Sequence, residues 1–212
     1  MARVAIIDYG VGNLRSVEKA FLAAGCDAVV TSDPTVINDS ERLVLPGVGA
    51  FAACMRALAE RGFDKLMLQR AGEGTPLLGV CVGMQMLFEE SEEFGRTRGL
   101  GLLAGQVRSF KQNLPIPHVG WNQIWHRRAH PLFDGIDNRS FFYFVHSFFC
   151  AAADPGIVIG ETEYGSDFAS IVARRNICGV QFHPEKSQTD GLRLLRNFAT
   201  LSLSAQEQRN IR

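Results

Sequence analysis

Leu77-Leu-Gly-Val-Cys-Val-Gly-Met-Gln-Met-Leu87 decides how the chain is read. Its first residues form a short apolar run of the kind that fills a fully buried strand, and from Met84 the spacing turns helical. A strand over residues 77–80 that feeds directly into a helix over 84–90 is half of a β-α unit, and the sequence before it repeats the pattern. Val4-Ala-Ile-Ile7 reads as a buried strand ending at Asp8. Leu14, Val17, Phe21 and Ala24 share one face of a helix that Gly25 stops. Strands follow at 28–31 and at 43–45, the latter closed by Pro46-Gly47, and then a helix at about 50–69. This alternation predicts an α/β fold: an open, mostly parallel twisted sheet flanked by helices.

Beyond about residue 104 the rhythm shortens. Strands at 107–110, 119–125, 157–161, 168–173 and 177–182 predict additional short antiparallel strands in the C-terminal half. A last helix, about 189–203, leads into a polar tail expected to fray. No repeat, linker or composition break divides the sequence, so residues 1–212 are read as one domain.

The composition fits that reading. Of 212 residues, 46% are hydrophobic and 21% charged, so low-complexity disorder is excluded. A chain of this length buries roughly 70% of its unfolded surface and needs no disulfide or metal to hold a core. Basic and acidic residues balance at 22 each, which argues against nucleic acid or an anionic membrane as the main partner. Four apolar residues after Arg3 are too few for an export signal, and the apolar stretch 141–153, broken by His146 and Ser147, is too short to span a bilayer. Cys26, Cys54, Cys81, Cys150 and Cys178 are odd in number, scattered and without a CxxC pair. They read as reduced thiols in the cytoplasm, with no metal site and no cofactor implied.

Two glycine-rich turns need sorting. Gly10-Val11-Gly12-Asn13 lacks the third glycine of a dinucleotide fingerprint, because Arg15 stands there, and so reads as a tight strand-to-helix turn. Around Cys81 the flanking Gly79 and Gly83 match the thiol version of a nucleophile elbow. A nucleophile on a sharp strand-to-helix bend is presented outward, and neighbours without side chains let strand and helix close around it. At the helix start, free N–H groups and the dipole favour a thiolate and can hold an oxyanion. The plain alternative is a small buried cysteine between packing glycines.

A cysteine nucleophile needs a base and a group to orient it. Of His118, His126, His130, His146 and His183, the last is the best placed, in Gly179-Val-Gln-Phe-His-Pro-Glu185. Pro184 favours an extended predecessor, and in extended chain residues i and i+2 point to the same side. Glu185 is then set to bond one imidazole nitrogen of His183 and leave the other for a thiol. Spacing alone does not bring His183 to Cys81.

With these motifs, the sequence resembles the class I, triad-type glutamine amidotransferases over its whole length. The resemblance rests on Leu45-Pro-Gly-Val-Gly-Ala-Phe51, the 79–87 elbow and Gly179-Val-Gln-Phe-His-Pro-Glu-Lys-Ser187. Asp8-Tyr-Gly-Val-Gly-Asn13, Pro117-His-Val-Gly-Trp-Asn122 and Tyr143-Phe-Val-His-Ser147 narrow it to the branch that serves imidazole glycerol phosphate synthesis. The resemblance implies a Cys81, His183, Glu185 triad acting on glutamine through a thioester. It implies oxyanion donors from Val82 and from the Val48, Gly49 turn, and substrate contacts from Gly49, Gln85, Tyr143, His146 and Ser147. It also implies a heterodimer with a (β/α)₈-barrel cyclase that receives the ammonia, docked on Asn13, Trp121, Asn122 and Lys186. A subunit serving a sugar-amidinating synthase, or a catalytically silent subunit of the same fold, stays open at this point.

Overall fold

A computed structural model describes residues 3–110 and 114–202. The strands are β1 Val4–Ile7, β2 Ala28–Thr31, β3 Arg42–Gly47, β4 Leu77–Cys81, β5 Phe88–Ser91, β6 Thr97–Arg98 and β7 Leu103–Ser109. They continue with β8 His118–Gln123, β9 Trp125–His126, β10 Phe141–His146, β11 Phe148–Ala152, β12 Val158–Glu163, β13 Asp167–Arg174 and β14 Ile177–Val180. The helices are α1 Leu14–Ala23, α2 Pro34–Asp39, α3 Phe51–Glu60, α4 Phe63–Gly72, α5 Val82–Met86 and α6 Gln188–Thr200.

One mixed sheet runs β2-β1-β3-β4-β14-β13-β11-β7-β5-β6, with β12 and β9 branching from β13. Its first five strands are parallel and form the α/β half expected from the sequence. Apart from Thr31 and Arg42 at strand ends they are built of apolar residues, as expected of strands covered on both faces. Helices flank the sheet, α1 against α6 and α3 against α4 and α5. The antiparallel strands of the second half extend it, and β8 and β10 pair separately as a two-stranded ribbon.

The register of the parallel half brings the site together. β4 lies between β3 and β14, with Gly79 opposite Gly179 and Val80 opposite Val180, and with Cys81 opposite Gly47. Three segments far apart in sequence therefore leave the sheet at the same carboxyl edge, where ligands of open α/β sheets bind. They are the turn after β3, the bend at Cys81 and the run from Gln181 to Glu185.

Several elements differ from the sequence reading. β3 extends to Gly47, so Pro46 lies inside a strand. β1 pairs with β3 only as far as Val44, and the Pro46 carbonyl accepts the Tyr9 hydroxyl at 2.7 Å, so no ladder partner is left wanting the missing N–H. The expected helix at 50–69 is two, because Gly62 takes a left-handed conformation (φ 70°) between α3 and α4. The helix after the elbow ends at Met86, and Phe88–Ser91 is a strand pairing with β7. α2 was not foreseen, although Asp33 caps it through the Thr35 N–H and Pro34 opens it. The aromatic run 141–149 forms β10 and the start of β11. The last helix ends at Thr200; residue 203 and the tail lie outside the described residues.

All five cysteines are buried, and none forms a disulfide. Among the described residues no helix is long and apolar enough to cross a membrane.

Candidate active site

Cys81 is the last residue of β4 and the residue before α5, at φ 57° and ψ −115°. A side-chain-bearing residue in that region is strained, and the surrounding structure must hold it there. The close packing is visible in the glycines. A methyl on Gly83 would lie 1.8 Å from the Leu45 carbonyl oxygen, and one on Gly79 or on Gly47 would lie 2.6 Å from the Gly83 backbone. α5 thus rests on bare backbone of β3 and β4, which fixes where Cys81 and the Val82 N–H stand. Val82 opens the helix, where N–H groups have no intrahelical carbonyl.

His183 enters from the end of β14, its backbone N–H bonded to the Tyr143 carbonyl at 2.9 Å. Its Nδ1 donates to Glu185 Oε1 at 2.8 Å, and both side chains are almost wholly buried. Its Nε2 is buried and makes no hydrogen bond of ordinary geometry among the described residues. Burial alone would push this imidazole down. Hydrogen bonding to Cys81 and Glu185, with their charges, outweighs it and lifts the ring to about 10. The raised value favours the imidazolium form of the ring beside Cys81.

The thiol lies in a pocket of about 320 Å³ lined by Asn13, Val48, Gly49, Val82, Gln85 and Glu93 on one side. Pro117, Val145 to Phe148, His183 and Lys186 line the other. Cys81, Val82, Val48, Gly49, Gln85, His146 and Ser147, all singled out in the sequence, are brought together there. Tyr143 is not in the lining. It lies behind Lys186, whose ammonium sits 5.5 Å from the centre of its ring, and Trp121 meets that ring edge-on.

Three of the singled-out side chains have hydrogen-bond partners within the chain. Both amide hydrogens of Gln85 are committed, to the Phe148 carbonyl at 3.1 Å and to Gln181 Oε1 at 3.2 Å, so only its oxygen is offered to a ligand. His146 donates through Nδ1 to the Phe148 carbonyl at 2.8 Å and accepts through Nε2 from His118 Nδ1 at 2.9 Å. Burial pushes its ring down to about 3, with the neighbouring His118 and His183 adding to the effect, so it is neutral. Asn122, expected on a docking face, turns its amide inward to the Glu163 carbonyl and the His118 ring. Asn13, Trp121 and Lys186 are exposed.

In the turn after β3, the Val48 carbonyl accepts the Cys54 thiol at 3.3 Å. In a planar trans peptide this leaves the Gly49 N–H facing away from Cys54.

Two polar residues, one in the pocket lining and one buried behind the thiol, escaped the sequence reading. Glu93 bonds the Phe51 N–H at 2.6 Å and brings a carboxylate to the rim. It belongs to the acidic run 89–93, which reads as a solvated face. Gln181 is wholly buried and points its Nε2 at Cys81 Sγ, 4.0 Å away. The motif containing it was quoted for its histidine and glutamate alone.

A thiol on a strained bend, a buried imidazolium with its carboxylate, and backbone N–H groups nearby can perform nucleophilic acyl transfer. The glutamine amidotransferase class-I family model matches residues 5–201. Imidazole glycerol phosphate synthase subunit HisH of Geobacter metallireducens is 48% identical over 94% of this chain and 98% of its own length. The protein of the same name from Methylococcus capsulatus is 51% identical over 93% and 96%. Among solved structures, a glutamine amidotransferase superposes with TM-score 0.73 at 20% identity, over 92% of this chain and 96% of the other. PurLQS of Thermotoga maritima gives 0.75 at 18%, over 93% and 98%. A motif set, a site geometry and a near-full-length match thus agree, and the chain belongs to the class I glutamine amidotransferases.

Proposed function

We infer that the chain is the glutaminase subunit of an imidazole glycerol phosphate synthase and hydrolyses glutamine to glutamate and ammonia. The observation that carries the reading is the Cys81 thiol beside the buried His183–Glu185 pair, in a pocket that also holds one carboxylate, Glu93. The near-50% identity to subunits of that name supports the choice of synthase.

The steps follow from the residues. The Cys81 thiolate attacks the side-chain carboxamide carbon of glutamine, and the oxyanion that forms meets backbone N–H groups of Val82 and of the Val48, Gly49 turn. The His183 imidazolium gives its proton to the departing nitrogen, the C–N bond breaks, and ammonia leaves a γ-glutamyl thioester. His183, now neutral, takes a proton from water, which attacks the thioester. The C–S bond breaks and glutamate departs. Glu185 keeps Nδ1 protonated throughout. Glu93 is suited to the α-ammonium of the substrate, and Gly49, Ser147 and the Gln85 oxygen to its remaining polar groups.

Ammonia in water at neutral pH is mostly protonated and not nucleophilic, so a glutaminase that serves a synthesis works best docked on its acceptor. The acceptor in this reading is a (β/α)₈-barrel cyclase, forming a heterodimer in the cytoplasm. The exposed apolar side chains of the β8–β10 ribbon, Val119, Trp121 and Phe141, lie beside Tyr143 and Lys186 and suit such a contact.

The test separates ammonia supply from synthesis. With the cyclase present, Cys81→Ala abolishes glutamine-dependent formation of imidazole glycerol phosphate and leaves ammonia-dependent formation intact. Equal loss of both would overturn the assignment.

A further inference from the structure

The strand end that delivers His183 carries a second polar side chain that the steps above leave unused. Gln181 is wholly buried, and its backbone N–H bonds the Ser170 carbonyl of β13 at 2.9 Å, so its position is set by the sheet. Its side chain has one orientation that satisfies its neighbours. Oε1 accepts from Gln85 Nε2 at 3.2 Å, while the other hydrogen of the Gln85 amide goes to the Phe148 carbonyl at 3.1 Å. Gln85 has no third hydrogen to give, so the end of Gln181 that meets it must be the oxygen. The nitrogen is then the end turned to Cys81 Sγ, at 4.0 Å.

The sulfur thus stands between two fixed dipoles. The Val145 carbonyl, 3.9 Å away, can accept only from the neutral S–H form. An amide N–H of Gln181 favours the thiolate and does not titrate. We propose that Gln181 is a further catalytic residue, its side-chain amide donating to the Cys81 thiolate, and that Gln85 is the positioning residue that keeps the nitrogen of that amide toward the sulfur. The proposal rests on Cys81 being the nucleophile. Its work falls at the two points where sulfur carries charge: before attack on the carboxamide, and again when water has added to the thioester and the C–S bond breaks, releasing the thiolate.

The experiment is the rate of iodoacetamide labelling of Cys81 at pH 6.5, followed on its own peptide by mass spectrometry, beside glutamate release from glutamine. Q181L removes the donor at similar size. Labelling and kcat are each expected to fall about 5- to 10-fold, within the range of a typical net hydrogen bond, with KM changed less than twofold. Q181E has the shape of glutamine but presents an acceptor oxygen to the sulfur, and its labelling is expected to fall further than that of Q181L. A role in packing alone would give the reverse order. Should Q181L fail to fold, Q85L leaves Gln181 in place but frees its amide to turn, and labelling is expected to drop between two- and fivefold. Wild-type labelling rates in Q181L, or in Q85L where that variant stands in for it, would overturn the proposal. Labelling uses no glutamine, so an absence of glutamate release from the wild-type chain would count against the glutaminase reading and leave the donor test standing.

Discussion

The contact between α5 and the backbone of β3 makes Gly83→Ala a severe test of how the nucleophile is held. A Cβ there would lie 1.8 Å from the Leu45 oxygen, 2.9 Å from the Leu45 carbonyl carbon and 3.2 Å from the Pro46 carbonyl carbon. Real Cβ contacts essentially never fall below 3.0 Å, so helix and strand must part by more than ~1 Å, and the obstacle is backbone that no rotamer change relieves. Overpacking of this kind costs about 1–3 kcal/mol, or roughly 2–12 °C in Tm for a chain of this size. The larger effect is on catalysis. α5 begins one residue after Cys81, so its retreat carries the thiol and the Val82 N–H away from His183. A misplacement near 1 Å costs on the order of 10²-fold in rate. Gly72→Ala is the control. It ends α4, with nothing within 4 Å of the added carbon, and alanine at a helical position gains up to ~1 kcal/mol over glycine. Thermal unfolding and steady-state glutamate release measure both effects. A Gly83→Ala protein that melts and turns over like the wild type would refute the claim that bare backbone contact places Cys81.

Three further outcomes are expected. Glu185→Gln keeps the shape but removes the charge that supports the imidazolium, so thioester formation in a stopped reaction should slow by about 10²-fold; an unchanged acylation rate would take Glu185 out of the mechanism. The same variant tests linkage. Because the folded His183 sits near 10 and an unfolded one near 6.5, its stabilising contribution is complete below about pH 6.5 and is lost as pH rises toward 10. Denaturant unfolding from pH 6 to 10 should show that decline in the wild type and a shallower one in Glu185→Gln; parallel curves would contradict the pairing. Glu93→Gln should raise KM for glutamine about tenfold with kcat little changed, since a charge-assisted bond to the α-ammonium acts equally before and during reaction. An unchanged KM would remove Glu93 from substrate recognition.

What the sequence disclosed and what it hid follow from range. The parallel half was legible because each strand is a short Val/Ile/Leu run with a helix after it, and a buried strand of this type announces itself locally. The elbow was legible for the same reason: Gly79, Cys81 and Gly83 are neighbours in sequence, and their purpose is a local bend. Residues 88–90 were read as helix because the identity of Phe88–Ser91 as a strand comes from pairing with β7, which no local pattern encodes. The split at Gly62 was signalled by a glycine and overridden by the apolar spacing on either side. In the site, the His183–Glu185 pair could be read at a spacing of two. Glu93 and Gln181 could not, because what makes them part of the site is where the loop after β5 and the end of β14 arrive. Gln85 illustrates a harder limit. Its place was foreseen, but its donors are spent on Gln181 and Phe148, partners about 60 to 100 residues away.

The site also collects most of what the fold tolerates at a cost. Cys81 holds a positive φ of 57° in a region that side chains avoid. His183 Nε2 and Glu185 Oε2 are buried without hydrogen bonds, and a buried ion pair seldom repays its desolvation. Each cost is of a kind that a substitution could relieve: glycine at 81, or apolar residues of like volume at 183 and 185. Such changes are expected to raise stability and end activity together, since the strained bend aims the sulfur and His183 Nε2 carries the proton that the reaction moves. The rigid pairing of β3, β4 and β14 is what lets these tensions persist, because none of them can relax without shifting a strand that is bonded on both sides.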